Sequence, residues 1–182
     1  MKTPAISSRD LALCGVFGAM GMLLPVVFHL LQLGKVLMPM YLPLVALAFF
    51  VRPIPAGITA FSVPLLSALL TNMPPFFPPV AVIMAVELSV MGMIIAAVRS
   101  RRPGLPTLAV LVPVLLLGRV LGIVLIYAMA LVIDLPAAFV AGASLISGWP
   151  GIILMIAVIP PLVRLVQHNR ISDAVQEIDH EH

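Results

Sequence analysis

Six long apolar segments, separated by short stretches containing proline, arginine or other polar residues, make up most of the 182-residue chain. A helix that crosses a bilayer needs about 20 residues, or about 17 at the short end, so these segments predict membrane-spanning helices. The first segment is longer than the apolar core of a cleaved signal peptide, and we interpret it as a retained span. The sequence therefore predicts an all-α integral membrane protein with a six-transmembrane-helix bundle. The predicted spans are 11–31, 36–51, 56–71, 80–98, 107–132 and 145–166.

The second and third predicted spans, 36–51 and 56–71, are the shortest. About 16 residues give a helix of about 24 Å, which is less than the roughly 30 Å hydrocarbon core of a bilayer. Both segments fit short tilted helices within a bundle, and one of them also fits a re-entrant helix. Arg52, which lies between them, favours two separate crossings over one long helix.

The composition agrees with a bilayer environment. Hydrophobic residues make up 62% of the chain, charged residues make up 9%, and the mean hydropathy is +1.21. A soluble domain carries about 25% charged residues, so this chain has too few charges to cover a water-exposed surface. We expect membrane lipid as its surroundings. The net charge of +3 comes from scattered residues, and we expect no nucleic-acid partner.

The basic residues predict the orientation. With six spans, eight of them fall on one side of the membrane, and the opposite side carries only Lys35. Because Lys and Arg are enriched in cytoplasmic loops, both termini are predicted to be cytoplasmic. The chain would then consist of a membrane domain over 1–166 and a polar cytoplasmic tail over 167–182. The residues on the basic side are Lys2, Arg9, Arg52, Arg99, Arg101, Arg102, Arg164 and Arg170.

Two ionisable residues fall inside predicted spans. Glu87 lies about eight residues into the fourth span from the outside, and Arg119 lies about thirteen residues from the outer end of the fifth. Charged groups at membrane depth cost about 2.5–3.5 kcal/mol on insertion scales, so they usually face a bundle interior and find a partner. The two residues could neutralise each other and pin two helices together. They could instead line a polar pocket that opens to the outside. A third possibility is that they form part of a proton relay.

Other polar residues lie near the predicted outer surface. His29 and Lys35 follow the first span, and Asn72 ends the third. They fit either interfacial side chains in contact with water or residues that overhang the same outer pocket.

Small residues recur along the first span at a spacing that lets another helix approach closely. They include Ala12, Gly15, Gly18 and Ala19. Gly118 and Gly122 repeat this spacing in the fifth span. The pattern fits packing inside the bundle or, for the first span, docking against a different membrane protein.

Three common enzyme motifs are absent from the sequence. It lacks a P-loop, a GxSxG motif and an HExxH motif, each of which supplies a defined chemistry. Cys14 is the only cysteine, so a multi-cysteine metal site is excluded. We expect a protein that is not an enzyme, with no catalytic residues, no cofactor and no metal site.

Three segments together resemble a known family. They are LMPMYLPLVALAFFVRPIPAGITAFSVPLLSALLTNMPP, AVIMAVELSVMGMI and GWPGIILMIAVIPPLV. The chain resembles the substrate-binding S component of energy-coupling factor (ECF) transporters over about residues 8–166. The resemblance implies a bacterial cell-membrane protein that captures a vitamin or similar micronutrient from the outside. Its partners would be a transmembrane coupling subunit and two ATP-binding cassette ATPases.

The resemblance also implies roles for particular residues. The outer loops at 31–38 and 72–79 would cover the pocket, with Glu87 and Arg119 below them. Trp149 fits either an apolar wall of the pocket or an interfacial anchor. The small-residue face of the first helix would meet the coupling subunit. The family's Ala-x-x-x-Ala pattern is absent there, because Val16 follows Ala12 by four residues, and Gly15-x-x-x-Ala19 is the nearest substitute.

Two other functions fit the same pattern. One is a small autonomous secondary transporter or channel that uses Glu87, and the other is a membrane assembly subunit without a ligand. The substrate also stays open at this point, because His29, Lys35 and Arg119 suit a carboxylate or phosphate whereas Glu87 suits an amine or amide.

If Glu87 and Arg119 contact a ligand, Glu87→Ala and Arg119→Ala should each weaken binding at least about tenfold, or about 1.4 kcal/mol. The measurement is equilibrium binding to purified protein in detergent. Unchanged affinity in a folded variant would give both residues a purely structural role.

Overall fold

The computed structural model describes residues 7–30, 39–133 and 149–180, with side chains described as far as residue 166. Within these ranges the chain is helical with no strand, so the predicted all-α class is confirmed there. The helices are α1 (Ser8–Leu30), α2 (Tyr41–Leu47), α3 (Pro53–Thr71), α4 (Val80–Arg101), α5 (Thr107–Ile133) and α6 (Trp149–His180).

Five of these helices are long and apolar enough to cross a membrane: α1, α3, α4, α5 and the Trp149–Val166 part of α6. The segment predicted as the second span, 36–51, contains the seven-residue helix α2, and its residues 36–38 lie outside the described ranges. Seven residues extend about 10 Å, so α2 alone does not cross a bilayer. The count of six spans and the cytoplasmic location of both termini therefore stay predictions. The predicted tail continues α6 as a helix to His180.

The helices form a ring of which α2 is one member. Helix α3 packs between α1 and α4, and α5 packs between α4 and α6. The ring closes through α2, which contacts α1, α3, α4 and α6. The short helix is therefore the internal element that joins the first and last helices of the bundle.

Six of the seven residues of α2 are buried, and Leu42 is half-buried, in keeping with a sequence, YLPLVAL, that is apolar almost throughout. Leu44 and Leu47 are among the largest fully buried side chains. The chain leaves α2 through a tight turn in which the amide N–H groups of Phe49 and Phe50 donate to the carbonyls of Ala46 and Leu47. A new helix then begins at Pro53, whose missing N–H is not needed in the first helical turn.

Small residues allow α3 and α4 to pack closely. A Cβ added to Gly57 would lie 2.5 Å from Cγ of Met93, and one added to Gly92 would lie 3.5 Å from the Ala56 carbonyl oxygen. Residues early in α3 thus meet residues late in α4, so the two helices are antiparallel. Helix association in a bilayer relies on this kind of close backbone packing, because apolar side chains are equally well solvated by lipid.

One end of the bundle is held by contacts of basic side chains. Nε of Arg52 donates to Oδ2 of the buried Asp10 over 2.8 Å, which links the start of α1 to the start of α3. Arg99, in the last turn of α4, donates to the Leu105 carbonyl over 2.8 Å and lies over the Phe49 ring, 5.9 Å from its centroid. These contacts gather arginines that the sequence assigns to the cytoplasmic side at one end of the bundle.

The proline-rich turn at 72–79 lies at the opposite end. Asn72 ends α3 in the left-handed conformation with φ 55°, and its N–H donates to the Ala68 carbonyl over 3.0 Å. Asparagine tolerates this conformation better than most residues. The buried Ser67 hydroxyl donates to the Met73 carbonyl over 2.6 Å, so the start of the turn is fastened to α3. The Met73–Pro74 and Phe77–Pro78 peptide bonds are cis.

The predicted orientation can be tested with single cysteines. In a Cys14→Ala background, Phe77→Cys and Arg102→Cys place a thiol at exposed positions on opposite ends of the bundle. We expect a membrane-impermeant maleimide to label the cysteine at 77 on intact cells and the cysteine at 102 only after permeabilisation. The reverse labelling pattern would invert the predicted topology, and labelling of both on intact cells would contradict a single orientation.

Candidate functional site

A hydrogen bond between two buried side chains lies at the centre of the candidate site. The Tyr41 hydroxyl donates to Oε2 of Glu87 over 2.8 Å. Tyr41 is the first residue of α2, and Glu87 lies two turns into α4 with only 7% of its surface exposed. The bond therefore links α2 to α4. It also gives a carboxylate in an apolar interior a hydrogen-bond donor.

Arg119 reaches the same place from α5, but it leaves a donor unsatisfied. Its Nη2 atom is buried and has no hydrogen-bond partner among the residues that the structure describes. Among the described residues no ion pair within 4.0 Å joins Arg119 to Glu87. The ion pair that these residues do form joins Arg52 to Asp10. The structure thus brings the two predicted residues together without forming the direct pair that would neutralise both.

Glu87 and Arg119 both line a small cavity inside the bundle. Its volume is about 10 Å³, which is close to the minimum that holds one water molecule. Apolar side chains from three helices form the rest of the wall. The lining residues are Tyr41, Glu87, Met91, Leu115, Arg119, Ile152 and Met155.

The cavity lies nearer the end of the bundle that carries the proline-rich turn. Tyr41 opens α2, and Ile152 lies in the first turn of α6. Glu87 is about 10 Å along α4 from Val80, at 1.5 Å per residue. With the predicted orientation, this is the outer half of the membrane.

Two glycines of α5 let that helix pack against the site. A Cβ on Gly122 would lie 2.9 Å from Oε2 and 3.3 Å from Cδ of Glu87, and one on Gly118 would overlap Sδ of Met91. The spacing of these glycines, noted in the sequence, therefore serves packing inside the bundle. It also positions the Glu87 carboxylate directly against the backbone of α5.

Of the other predicted ligand residues, His29, Asn72 and Trp149 do not line this cavity. His29 is exposed in the last turn of α1, and Asn72 is exposed where it ends α3. Trp149 begins α6 and is 51% exposed. Lys35 lies outside the described residues. Of the six predicted substrate contacts, the structure brings together Glu87 and Arg119.

The predicted coupling face of α1 divides into two parts. Ala12, Gly15 and Ala19 are exposed, and a Cβ added to Gly15 would meet none of the described residues within 4 Å. Gly18 is buried instead, because it faces α3, where a Cβ would lie 3.4 Å from Val63 and 3.6 Å from Thr59. Gly18 is therefore a packing residue of this bundle, and the other three remain on its surface.

Sequence reasoning missed Tyr41, which is the hydrogen-bond partner of Glu87. A signal was available, because Tyr41 is one of only two tyrosines and its hydroxyl falls within an apolar segment, where such a group needs a partner when buried. The apolar wall residues Met91, Leu115, Ile152 and Met155 carry no comparable signal, since they resemble any other core position of a membrane helix.

The side chains at the cavity offer hydrogen bonds and charge, and they do not form a metal site. Among the described residues no group of three or more His, Cys, Asp or Glu side chains is placed to hold a metal ion. A guanidinium donor, a carboxylate acceptor and a phenol hydroxyl inside an apolar wall instead suit recognition of a small polar group.

Replacement of Gly122 tests the contact between α5 and the Glu87 carboxylate. We expect Gly122→Ala to lower the thermal unfolding temperature in detergent, because Glu87 is held by Tyr41 and cannot move away freely. Gly15→Ala is the matched control, since its methyl group enters open space and should leave the unfolding temperature unchanged or slightly raised. Equal unfolding temperatures for the two variants would contradict the close packing at Gly122.

No family model, curated protein or solved structure matches this chain. The resemblance to ECF S components therefore stays a prediction from the three quoted segments. What the chain does has to be inferred from its own residues, above all from Tyr41, Glu87 and Arg119.

Proposed function

We propose that this chain is the membrane-embedded substrate-binding subunit of an ATP-driven ECF-type importer. In this role it captures a vitamin or related micronutrient from the outside. It then delivers the molecule inward together with a transmembrane coupling subunit and two ATP-binding cassette ATPases. The observation that carries the proposal is the buried, unsatisfied donor of Arg119, which shares an internal cavity with Glu87.

A direct ion pair between Glu87 and Arg119 does not account for this arrangement. Two opposite charges inside a membrane bundle gain most when they form a direct, hydrogen-bonded pair, because each one alone costs about 2.5–3.5 kcal/mol at membrane depth. Here Glu87 bonds to Tyr41, and Nη2 of Arg119 has no partner within the described ranges. A donor left without an acceptor costs stability, which is typical of a site that completes its hydrogen bonds with a bound molecule.

A micronutrient is much larger than the present cavity, so binding requires the wall to move. Met91 and Met155 are part of that wall. Methionine side chains are flexible and adapt to differently shaped neighbours, so they can change rotamer at modest cost. The proposal therefore includes an enlargement of the cavity when the substrate enters.

The exposed face of α1 supports a protein partner within the membrane. This helix is the least buried of the five candidate spans, because 11% of an apolar 18-residue stretch within it is buried in the bundle. Ala12, Gly15 and Ala19 on its surface would allow a coupling subunit to approach its backbone closely.

The second candidate is an autonomous secondary transporter or channel. It is favoured by the Tyr41–Glu87 hydrogen bond, because a membrane carboxylate next to a hydroxyl can also exchange a proton. This candidate needs no ATPase, so the two proposals differ in what copurifies with the chain.

The first experiment is a tagged purification from the native host in mild detergent, read by mass spectrometry. We expect recovery of a larger membrane subunit and two P-loop ATPases. Recovery of this chain alone, in detergents that keep such complexes intact, would contradict the importer.

Uptake by liposomes that contain this chain alone provides the complementary measurement. The importer predicts no uptake in the absence of ATPases, with or without Glu87→Gln. Uptake by the wild-type chain that is lost in Glu87→Gln would establish the secondary transporter, with Arg102→Gln, at an exposed position, as the matched control.

A further inference from the structure

The unsatisfied hydrogen bonds of the cavity define what its occupant must offer. Among the described side chains, Nη2 of Arg119 is the buried nitrogen or oxygen without a hydrogen-bond partner. A buried donor of this kind needs an acceptor. The group that enters the cavity should therefore present an oxygen or another acceptor to Arg119.

Glu87 restricts the occupant in a second way. Its Oε2 atom accepts a hydrogen bond from Tyr41, and its carboxylate lies against α5 at Gly122. An ionised carboxylate has further acceptor sites on its two oxygens. The group that enters the cavity can therefore also be held by donating a hydrogen bond to Glu87.

The charges of the cavity decide between a charged and a neutral occupant. Glu87 and Arg119 carry opposite formal charges, which sum to zero, and Met91, Leu115, Ile152 and Met155 add none. An isolated carboxylate would match Arg119 but leave the charge of Glu87 uncompensated, and an isolated ammonium would do the reverse. An uncompensated charge in apolar surroundings is strongly unfavourable.

On the basis of the proposed function, we infer that the part of the substrate that enters the cavity has no net charge and bridges the two residues. It presents a hydrogen-bond acceptor to Arg119 and a donor to Glu87. Primary and secondary amides, ureido groups and zwitterionic amino-acid groups have this chemistry. Isolated carboxylates, phosphates and simple amines do not.

Retention of small molecules by the full chain tests this inference. Wild-type protein and variants, purified in mild detergent, are incubated with a small-molecule extract of the host cells and washed, and the retained compounds are identified and quantified by mass spectrometry. We expect the wild type to retain a compound that contains an amide, ureido or zwitterionic group. Glu87→Gln and Arg119→Gln should each reduce its retention roughly tenfold, whereas Arg102→Gln should retain it fully.

The direction in which retention changes in the two single variants distinguishes a neutral occupant from a charged one. An anionic occupant would be retained more strongly by Glu87→Gln and lost by Arg119→Gln, and a cationic occupant would show the opposite pattern. Either pattern would overturn the inference but leave the binding function intact. Retention of no compound by the wild type would overturn both the inference and the capture function.

Folding of the variants is checked by thermal unfolding and size-exclusion chromatography before their retention is compared. If Arg119→Gln does not fold, Arg119→Met replaces it, because a methionine at that position continues the apolar wall. The double variant, Glu87→Gln with Arg119→Gln, restores charge balance and should retain at least as much compound as either single variant. Lower retention by the double variant than by both single variants would contradict the role of charge balance.

Discussion

The hydrogen bond from Tyr41 to Glu87 is the interaction on which the centre of this bundle depends. It places a polar contact at the start of α2, the short helix that connects the first and last helices of the ring. The same contact satisfies one oxygen of a carboxylate that would otherwise be buried without a partner. If α2 moved away, Glu87 would lose this hydrogen bond while it remained in an apolar interior. The position of α2 and the hydrogen bonding of Glu87 are therefore coupled.

Close packing on the other side of Glu87 makes the site asymmetric. Gly122 brings the backbone of α5 against the carboxylate, while Arg119, almost one turn earlier on the same helix, has a buried donor with no acceptor in the described part of the chain. A helix can present both features because residues three apart lie on neighbouring parts of one face. Helix α5 thus supplies both a close backbone contact with Glu87 and a hydrogen-bond donor that is available to another molecule. The proposed binding role rests on this combination.

The two ends of the bundle are held differently. Charged contacts hold one end, where Arg52 pairs with Asp10 and Arg99 bonds to the Leu105 carbonyl. At the other end, the hydroxyl of Ser67 and the left-handed Asn72 set the start of the proline-rich turn. Charged groups can keep contact with water and lipid headgroups at a membrane surface, so the first set also suits an interface between bundle and solvent.

The sequence by itself determined that the chain is helical and suited to a membrane, since long apolar segments and few charges allow little else. It also singled out Glu87 and Arg119, because ionisable residues inside apolar segments stand out without any structure. It could not show that 36–51 contains only the short helix α2 within the described residues, or that Gly18 packs inward while Gly15 stays exposed. Only the tertiary structure decided the partner of Glu87, the unsatisfied donor of Arg119 and the apolar wall around them. These depend on distances between residues of different helices, and the pattern along one apolar helix carries little information about which neighbour each face will meet.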